Sequence, residues 1–257
     1  MAQRHDVDCA SPRRRECSSG PGTELSMTEP EIWTALRRVD TPTVCNAIEV
    51  IEGRRGFSGF TPHALIPSHP DAPAMAGRAR TSRIRSAAPD PAPKDEVRAR
   101  RMEYFRHMHS APAPSIAVVE DMDGDDAIGA WWGEVHARIH KAFGLAGAIT
   151  NGLIRDLGDL PADFPILGGA VGPSHGFVHV VDSGTPVTIG GLRIADGDAL
   201  HADRHGVVAI PEDYLADLPA AIDRLARIEG TVLDHVTDGL DFETFEKLWQ
   251  DFENARV

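Results

Sequence analysis

A mixed α/β fold is predicted by three observations. Helix-like and strand-like stretches interleave along the chain, no internal repeat or clean linker divides it after residue 27, and its apolar content of 42% over 257 residues supports a sizeable core. One domain spanning 27–257, with a C-terminal helix, is the expected organisation.

Residues 1–26 are polar, rich in Ser, Gly, Pro and Arg, and bury too little apolar surface to order themselves. They read as a loose tail or as sequence upstream of a natural start at Met27, an expectation that the intact mass of protein made from its native gene would check. Glu31 to Val39 then reads as a helix, and Thr41 to Ile51 as a second, with Val44, Ala47, Ile48 and Ile51 on one face. Residues 53–75 are a Gly/Pro-rich loop, Ala76 to Ile84 a strand, and 86–95 a proline-rich loop. Glu96 to His109 is a charged helix with Val97, Met102, Phe105 and Met108 at inward spacing, its basic run Arg98 to Arg106 reading as a solvated face.

Ser115 to Glu120 is an apolar strand ending in acid, and residues 121–130 an acidic turn. Glu134 to Phe143 is a helix stopped by Gly144, followed by a strand at Ala146 to Thr150 and the Asn151-Gly152 turn. Phe164 to Leu167 and Phe177 to Val181 are further strands, and Pro186 to Ile194 a hairpin turning on Gly190-Gly191. Gly206 to Ile210 is a strand, Glu212 to Ile228 a long amphipathic helix, and Asp241 to Phe252 a short helix carrying Phe245, Leu248, Trp249 and Phe252.

The bulk numbers exclude several function classes. A net charge of −13 argues against a nucleic-acid ligand. Three cysteines, Cys9, Cys17 and Cys45, suit neither a disulfide framework nor a thiolate zinc site, and point to a reducing compartment. No apolar run is long enough to span a membrane and no secretory signal is recognisable, so the cytoplasm is expected.

The chemistry concentrates at Gly133-Glu134 and, twenty residues on, Arg155-Asp156. The intervening helix, glycine stop, apolar run and turn allow these groups to converge at one mouth, and two carboxylates with an arginine suit a divalent cation and a small keto acid. The bland alternatives are that Arg155 and Asp156 form only a salt bridge, and that Glu134 is only a charge favoured at a helix N-terminus. His175, His179, His201 and His205 could make a transition-metal site or be hydrogen-bonded structural histidines. Asp203 could order the pocket or cap a turn, and Trp131-Trp132 reads as packing.

Gly133-Glu134-Val135-His136, Gly144-Leu145-Ala146-Gly147 and Thr150-Asn151-Gly152-Leu153-Ile154-Arg155-Asp156 resemble the RraA-like family. So do Gly197-Asp198-Ala199-Leu200, Asp203 and Gly206 to Pro211, and the resemblance runs from about Asp40 to Glu229. That family includes regulators of ribonuclease activity and 4-hydroxy-4-methyl-2-oxoglutarate (pyruvate) aldolases, many of which also decarboxylate oxaloacetate.

The resemblance implies a compact layered αββα sandwich of the swivelling-domain type, assembled as trimers or hexamers, and a magnesium or manganese ion. It implies Asp156 as direct metal ligand, Glu134 as ligand through a water, and Glu229 of a neighbouring subunit as another through a water. Arg155 would meet the substrate's carboxylate or carbonyl, with Gly133, Val135 and His136 forming the rest of the substrate contact. The expected function is a metal-dependent lyase releasing pyruvate from a small 2-keto acid; the alternative is a non-catalytic regulator that binds ribonuclease E or another protein. The chain departs from the characterised aldolases in carrying Glu134 for an aspartate, Val135-His136 for a leucine pair, Asn151 for a common aspartate, Trp131-Trp132, and a longer 86–113 segment.

Overall fold

The computed structural model describes residues 27–256; the expectation for residues 1–26 lies outside that range. The first helices, α1 (Glu29–Leu36) and α2 (Thr41–Glu52), start where the sequence offers caps. Thr28 and Glu31 form a capping box on α1, and the Asp40 carboxylate accepts the Thr43 N–H at 2.9 Å on α2. Gly53, at φ 63°, closes α2 in the left-handed conformation that glycine adopts without steric cost.

The main sheet contains β1 (Ile66–Pro67), β2 (Met75–Arg85), β3 (Ser115–Asp121), β5 (Gly147–Thr150), β7 (Ile166–Gly168), β9 (His179–Ser183), β12 (Ala199–Asp203) and β13 (Gly206–Ile210). Its order is β1-β7-β5-β3-β2-β12-β13. β2, β3, β5 and β7 run parallel, and the flanking pairs are antiparallel. β2 is long enough to serve two partners along one edge: Met75–Arg78 pair with β12, and Ser82–Arg85 pair with β9.

A second, small parallel sheet joins β4 (Ala130–Trp132), β6 (Leu153–Ile154) and β8 (Ala170–Val171), and β10 (Val187–Ile189) and β11 (Leu192–Ile194) form a hairpin. Its turn needs positive φ at both Gly190 (55°) and Gly191 (87°), which is why two glycines stand there. The remaining helices are α3 (Lys94–His109), α4 (Glu134–Ala142), α5 (Leu218–Leu233) and α6 (Phe242–Arg256).

Period-2 alternation distributes the apolar side chains between opposite faces of the sheet. On β3, Ala117 and Val119 join a core with Tyr104 and Met108 of α3, Trp131, Trp132 and Phe164, whereas Ile116 and Val118 join the hairpin side chains Val187, Ile189 and Ile194. A third cluster packs Trp33, Leu36, Val44, Ile48 and Leu218 of the helices on Ala76, Ala199, Val208 and Ile210.

Five strands escape the sequence reading, among them β1, which lies inside the expected 53–75 loop. β4, β6 and β8 are two or three residues long and carry no readable period. β12 carries the polar residues His201 and Asp203, yet His201 is fully buried and bonded to Thr41 Oγ1 and the Leu36 carbonyl. α5 begins at Leu218, not Glu212, because residues 212–214 form a separate 3-10 turn and Pro219 suits a first helical turn. In α3 the deepest aromatic is Tyr104, which the expected inward set omits.

Tyr104 anchors a directed hydrogen-bond chain through the first core. Trp131 Nε1 donates to Tyr104 Oη at 3.2 Å, the Tyr104 hydroxyl donates to His140 Nε2 at 2.6 Å, and His140 Nδ1 donates to the His136 carbonyl at 2.6 Å. The carbonyl can only accept, so it sets the His140 tautomer and the direction of every bond before it. Burial pushes His140 down to about 3, and burial followed by the charges of Arg101 and Arg155 pushes His136 down to about 4.

Two predictions follow from this packing. A Cβ at Gly169 would lie 1.9 Å from the Asn151 carbonyl oxygen, so Gly169→Ala should lower unfolding free energy by about 1–3 kcal/mol, seen as a reduced urea midpoint. Both rings titrate below their unfolded value of 6.5, so the stability they contribute is complete above pH 6.5 and is lost as pH falls through 6.5 towards 4 and then 3. Unfolding between pH 6 and 5 should take up protons, and His140→Gln should reduce that uptake by about one proton when melting is followed across pH.

Candidate active site

The β4–β6 pairing builds this site. Ala130 pairs with Leu153 and Trp132 with Ile154 in parallel register, so Gly133-Glu134 and Arg155-Asp156 leave the same, carboxyl ends of adjacent strands. Twenty residues of helix, strand and turn serve as the crossover between them. The Arg155 N–H donating to the Trp132 carbonyl at 2.9 Å extends the pairing one step further.

Gly133 sits at the N-terminus of α4, and a Cβ on it would lie 2.6 Å from Asp156 Oδ2 and 3.1 Å from the Arg155 side chain. The missing side chain is what admits the carboxylate. Asp156 Oδ2 then accepts the Glu134 N–H at 3.1 Å, one of the first-turn donors that no helical carbonyl can satisfy. Asp156 itself has φ 59°, and among the described residues it is the one non-glycine with positive φ. Aspartate tolerates this region better than most residues, but a non-glycine held there is a strained position of the kind found at functional sites.

Arg155 Nη1 reaches Asp156 Oδ1 at 3.3 Å, with both side chains about one-third exposed. Most of the guanidinium fork therefore stays free. Glu134 is turned away from Asp156: its carboxylate accepts from Arg138 Nε at 2.8 Å, one helical turn on. Such an exposed pair holds weakly, so Glu134 can swing towards the mouth at small cost. Val135 is exposed, and His136 is half-buried against Trp131, with ring centroids 4.4 Å apart. Glu229 lies on α5, whose buried face packs on α2, so within one chain it does not join this group.

These donors fit a hard, well-hydrated cation better than a transition metal. Asp156 keeps lone pairs beyond the two hydrogen bonds it accepts, and magnesium typically takes one or two carboxylates and fills its shell with water. Among the described residues no three His, Cys, Asp or Glu side chains converge to hold a metal.

The four histidines proposed as a transition-metal alternative are dispersed. His175 Nδ1 bonds the Gly176 carbonyl, His179 Nδ1 the Phe177 carbonyl, His205 the Asp203 carboxylate, and His201 is buried beside α1 and α2. Asp203 is a cap: it accepts the N–H groups of His205 and of Thr41 at the start of α2. Trp131 and Trp132 are buried packing residues.

Arg101 corrects the expectation of a solvated basic face on α3. It is half-buried, its Nη2 reaches the Val178 carbonyl at 3.4 Å, and with His136, Trp131 and His175 it lines a cleft of about 810 Å³ beside the site. The signal for it was its i,i+4 spacing from Val97, on the same helix face.

The family model described as RraA-like, Aldolase/RraA, matches residues 41–209. A protein of Halalkalibacterium halodurans, provisionally assigned as a 4-hydroxy-4-methyl-2-oxoglutarate aldolase, is 25% identical over 191 residues, covering 73% of this chain and 80% of its own.

Among solved structures, a Pseudomonas syringae pv. tomato protein superposes with a TM-score of 0.66 at 17% identity, covering 93% of this chain and all of its own. Streptomyces coelicolor RraAS2, described as an unusual member of the RNase ES inhibitor RraA protein family, superposes with a TM-score of 0.56 at 22% identity, covering 77% and 93%. These likenesses show a shared fold. With the family model spanning well over half of the sequence and the α/β architecture matching, the chain belongs to the RraA-like family.

Proposed function

We propose that this protein is a divalent-metal-dependent carbon–carbon lyase that releases pyruvate from a small 2-keto acid, by aldol cleavage or by decarboxylation of oxaloacetate. The observation that carries the reading is Asp156: a left-handed aspartate, anchored by the Glu134 N–H and flanked by the free face of Arg155, at the mouth formed by the ends of β4 and β6.

Asp156 would hold a magnesium or manganese ion directly, with Glu134 and a neighbouring subunit's Glu229 acting through waters. The bound ion would supply Lewis-acid stabilisation of the negative charge that develops on the keto oxygen. Arg155 presents a planar fork that binds the substrate carboxylate and lies beside the oxygen of the enolate left by either cleavage. The N–H groups of Val135 and His136 belong to the first turn of α4, where the helix dipole favours an anion. The buried aromatic floor of Trp131 and Trp132 excludes water from one side of the site and so strengthens those charge interactions. Assembly as a trimer or hexamer accompanies this reading, because Glu229 can act only from a second copy.

The test is pyruvate release from oxaloacetate and from 4-hydroxy-4-methyl-2-oxoglutarate, coupled to lactate dehydrogenase, with magnesium, with manganese and with excess chelator. Release that depends on the metal supports a lyase. Its absence for both acids, in folded protein, would move the reading to a regulator, to be checked by pull-down with ribonuclease E.

Asp156→Asn should lower kcat by about 10²–10³ with the fold retained, since asparagine also accepts positive φ and still accepts the Glu134 N–H. Arg155→Lys keeps the charge and loses the fork, so kcat/KM should fall by about tenfold or more in the same assay. Near wild-type rates in either variant would remove that residue from the site.

A further inference from the structure

We propose that the cleft between α3 and the segment leading into β9 receives the far end of an elongated substrate, a 2-keto acid whose apolar or aromatic body ends in a second carboxylate. This rests on the lyase reading and names its substrate class. The cleft volume of about 810 Å³ lies within the range of small-molecule sites and is far larger than pyruvate needs.

Its charge is the reverse of the protein's. The chain carries a net −13, yet Lys94, Arg98 and Arg101 all face this cleft. Asp90, the carboxylate in its lining, is already committed: it accepts the Ala92 N–H at 2.8 Å and pairs with Arg100. Low-dielectric walls around uncompensated cations focus the field on an incoming anion.

The walls suit an apolar body. Val97, Met102, Trp131 and Phe177 line the cleft, and Phe177 is 47% exposed, a large aromatic surface with little cover. Arg101 Nε and His136 Nδ1 are buried atoms without a hydrogen-bond partner. Buried polar atoms are ordinarily paired, so these two stand out where the cleft meets the site.

His136 connects the two regions. It lies two residues after Glu134, packs on Trp131 with ring centroids 4.4 Å apart, and also lines the cleft. A ligand held by Arg155 at one carboxylate can therefore extend past His136 and Trp131 towards Arg101 and Arg98.

Isothermal titration of the full chain with isophthalate, a rigid aromatic dicarboxylate, tests this against succinate. Isophthalate should bind about tenfold tighter than succinate or better, through its buried ring. Arg101→Gln should weaken it by about tenfold or more, and Arg98→Glu, at an exposed position that leaves folding intact, should weaken it as well. Isophthalate binding no tighter than succinate, or unchanged in both variants, overturns the proposal.

The two readings fail separately. Isophthalate binding that follows Arg101 and Arg98, without pyruvate release from any acid, keeps the cleft as a dicarboxylate site and removes the lyase. Metal-dependent release from oxaloacetate without selective isophthalate binding keeps the lyase and removes the cleft's role.

Discussion

A carboxylate resting on a helix N-terminus, admitted by the missing side chain of Gly133, is the contact on which the rest of the site depends. Asp156 can accept the Glu134 N–H only because nothing larger than hydrogen stands between them, and it can turn towards that donor only because its backbone enters the left-handed region. Each condition constrains the others. The parallel pairing of β4 with β6 brings the two chain segments alongside, the glycine lets them touch, and the strained aspartate converts the touch into an oriented group. Asp156 is thereby held by main-chain geometry, which leaves the longer Glu134 and Arg155 side chains able to move.

Much of the fold is legible in the sequence because long elements carry a period. α2, β3, α4 and the β10–β11 hairpin fall within a residue or two of their expected bounds, each marked by a cap, an apolar run or a glycine pair. β4, β6 and β8 are invisible to that approach, since two residues cannot show alternation and the pairing that stabilises them is entirely non-local. Those unreadable strands are the ones that assemble the site. Glu134, Arg155 and Asp156 could be singled out from residue chemistry and family resemblance, but their alignment came from strands the sequence does not announce.

The same limit explains Tyr104, His140 and Arg101. An isolated histidine or tyrosine in a charged helix reads as solvent-facing; only the tertiary partner shows that Tyr104 and His140 satisfy each other inside a core. Arg101 reads as one of several basic residues until β9 and its approach close over it. Charge counted along the chain gives −13, while charge counted by location separates an acidic surface from a cationic recess.

The division of β2 between two partners has an evolutionary consequence. Its first half is tied to β12 and the helices α1, α2 and α5; its second half is tied to β9, against which α3 packs. The loop at residues 86–93 that rims the cleft leaves the end of that second half and enters α3 without joining β4 or β6. Insertions or deletions there can resize the recess while the strand ends carrying Gly133 and Asp156 keep their alignment. The fold thus keeps the alignment of Gly133 with Asp156 apart from the size of the recess, so chains sharing the one could differ in the other.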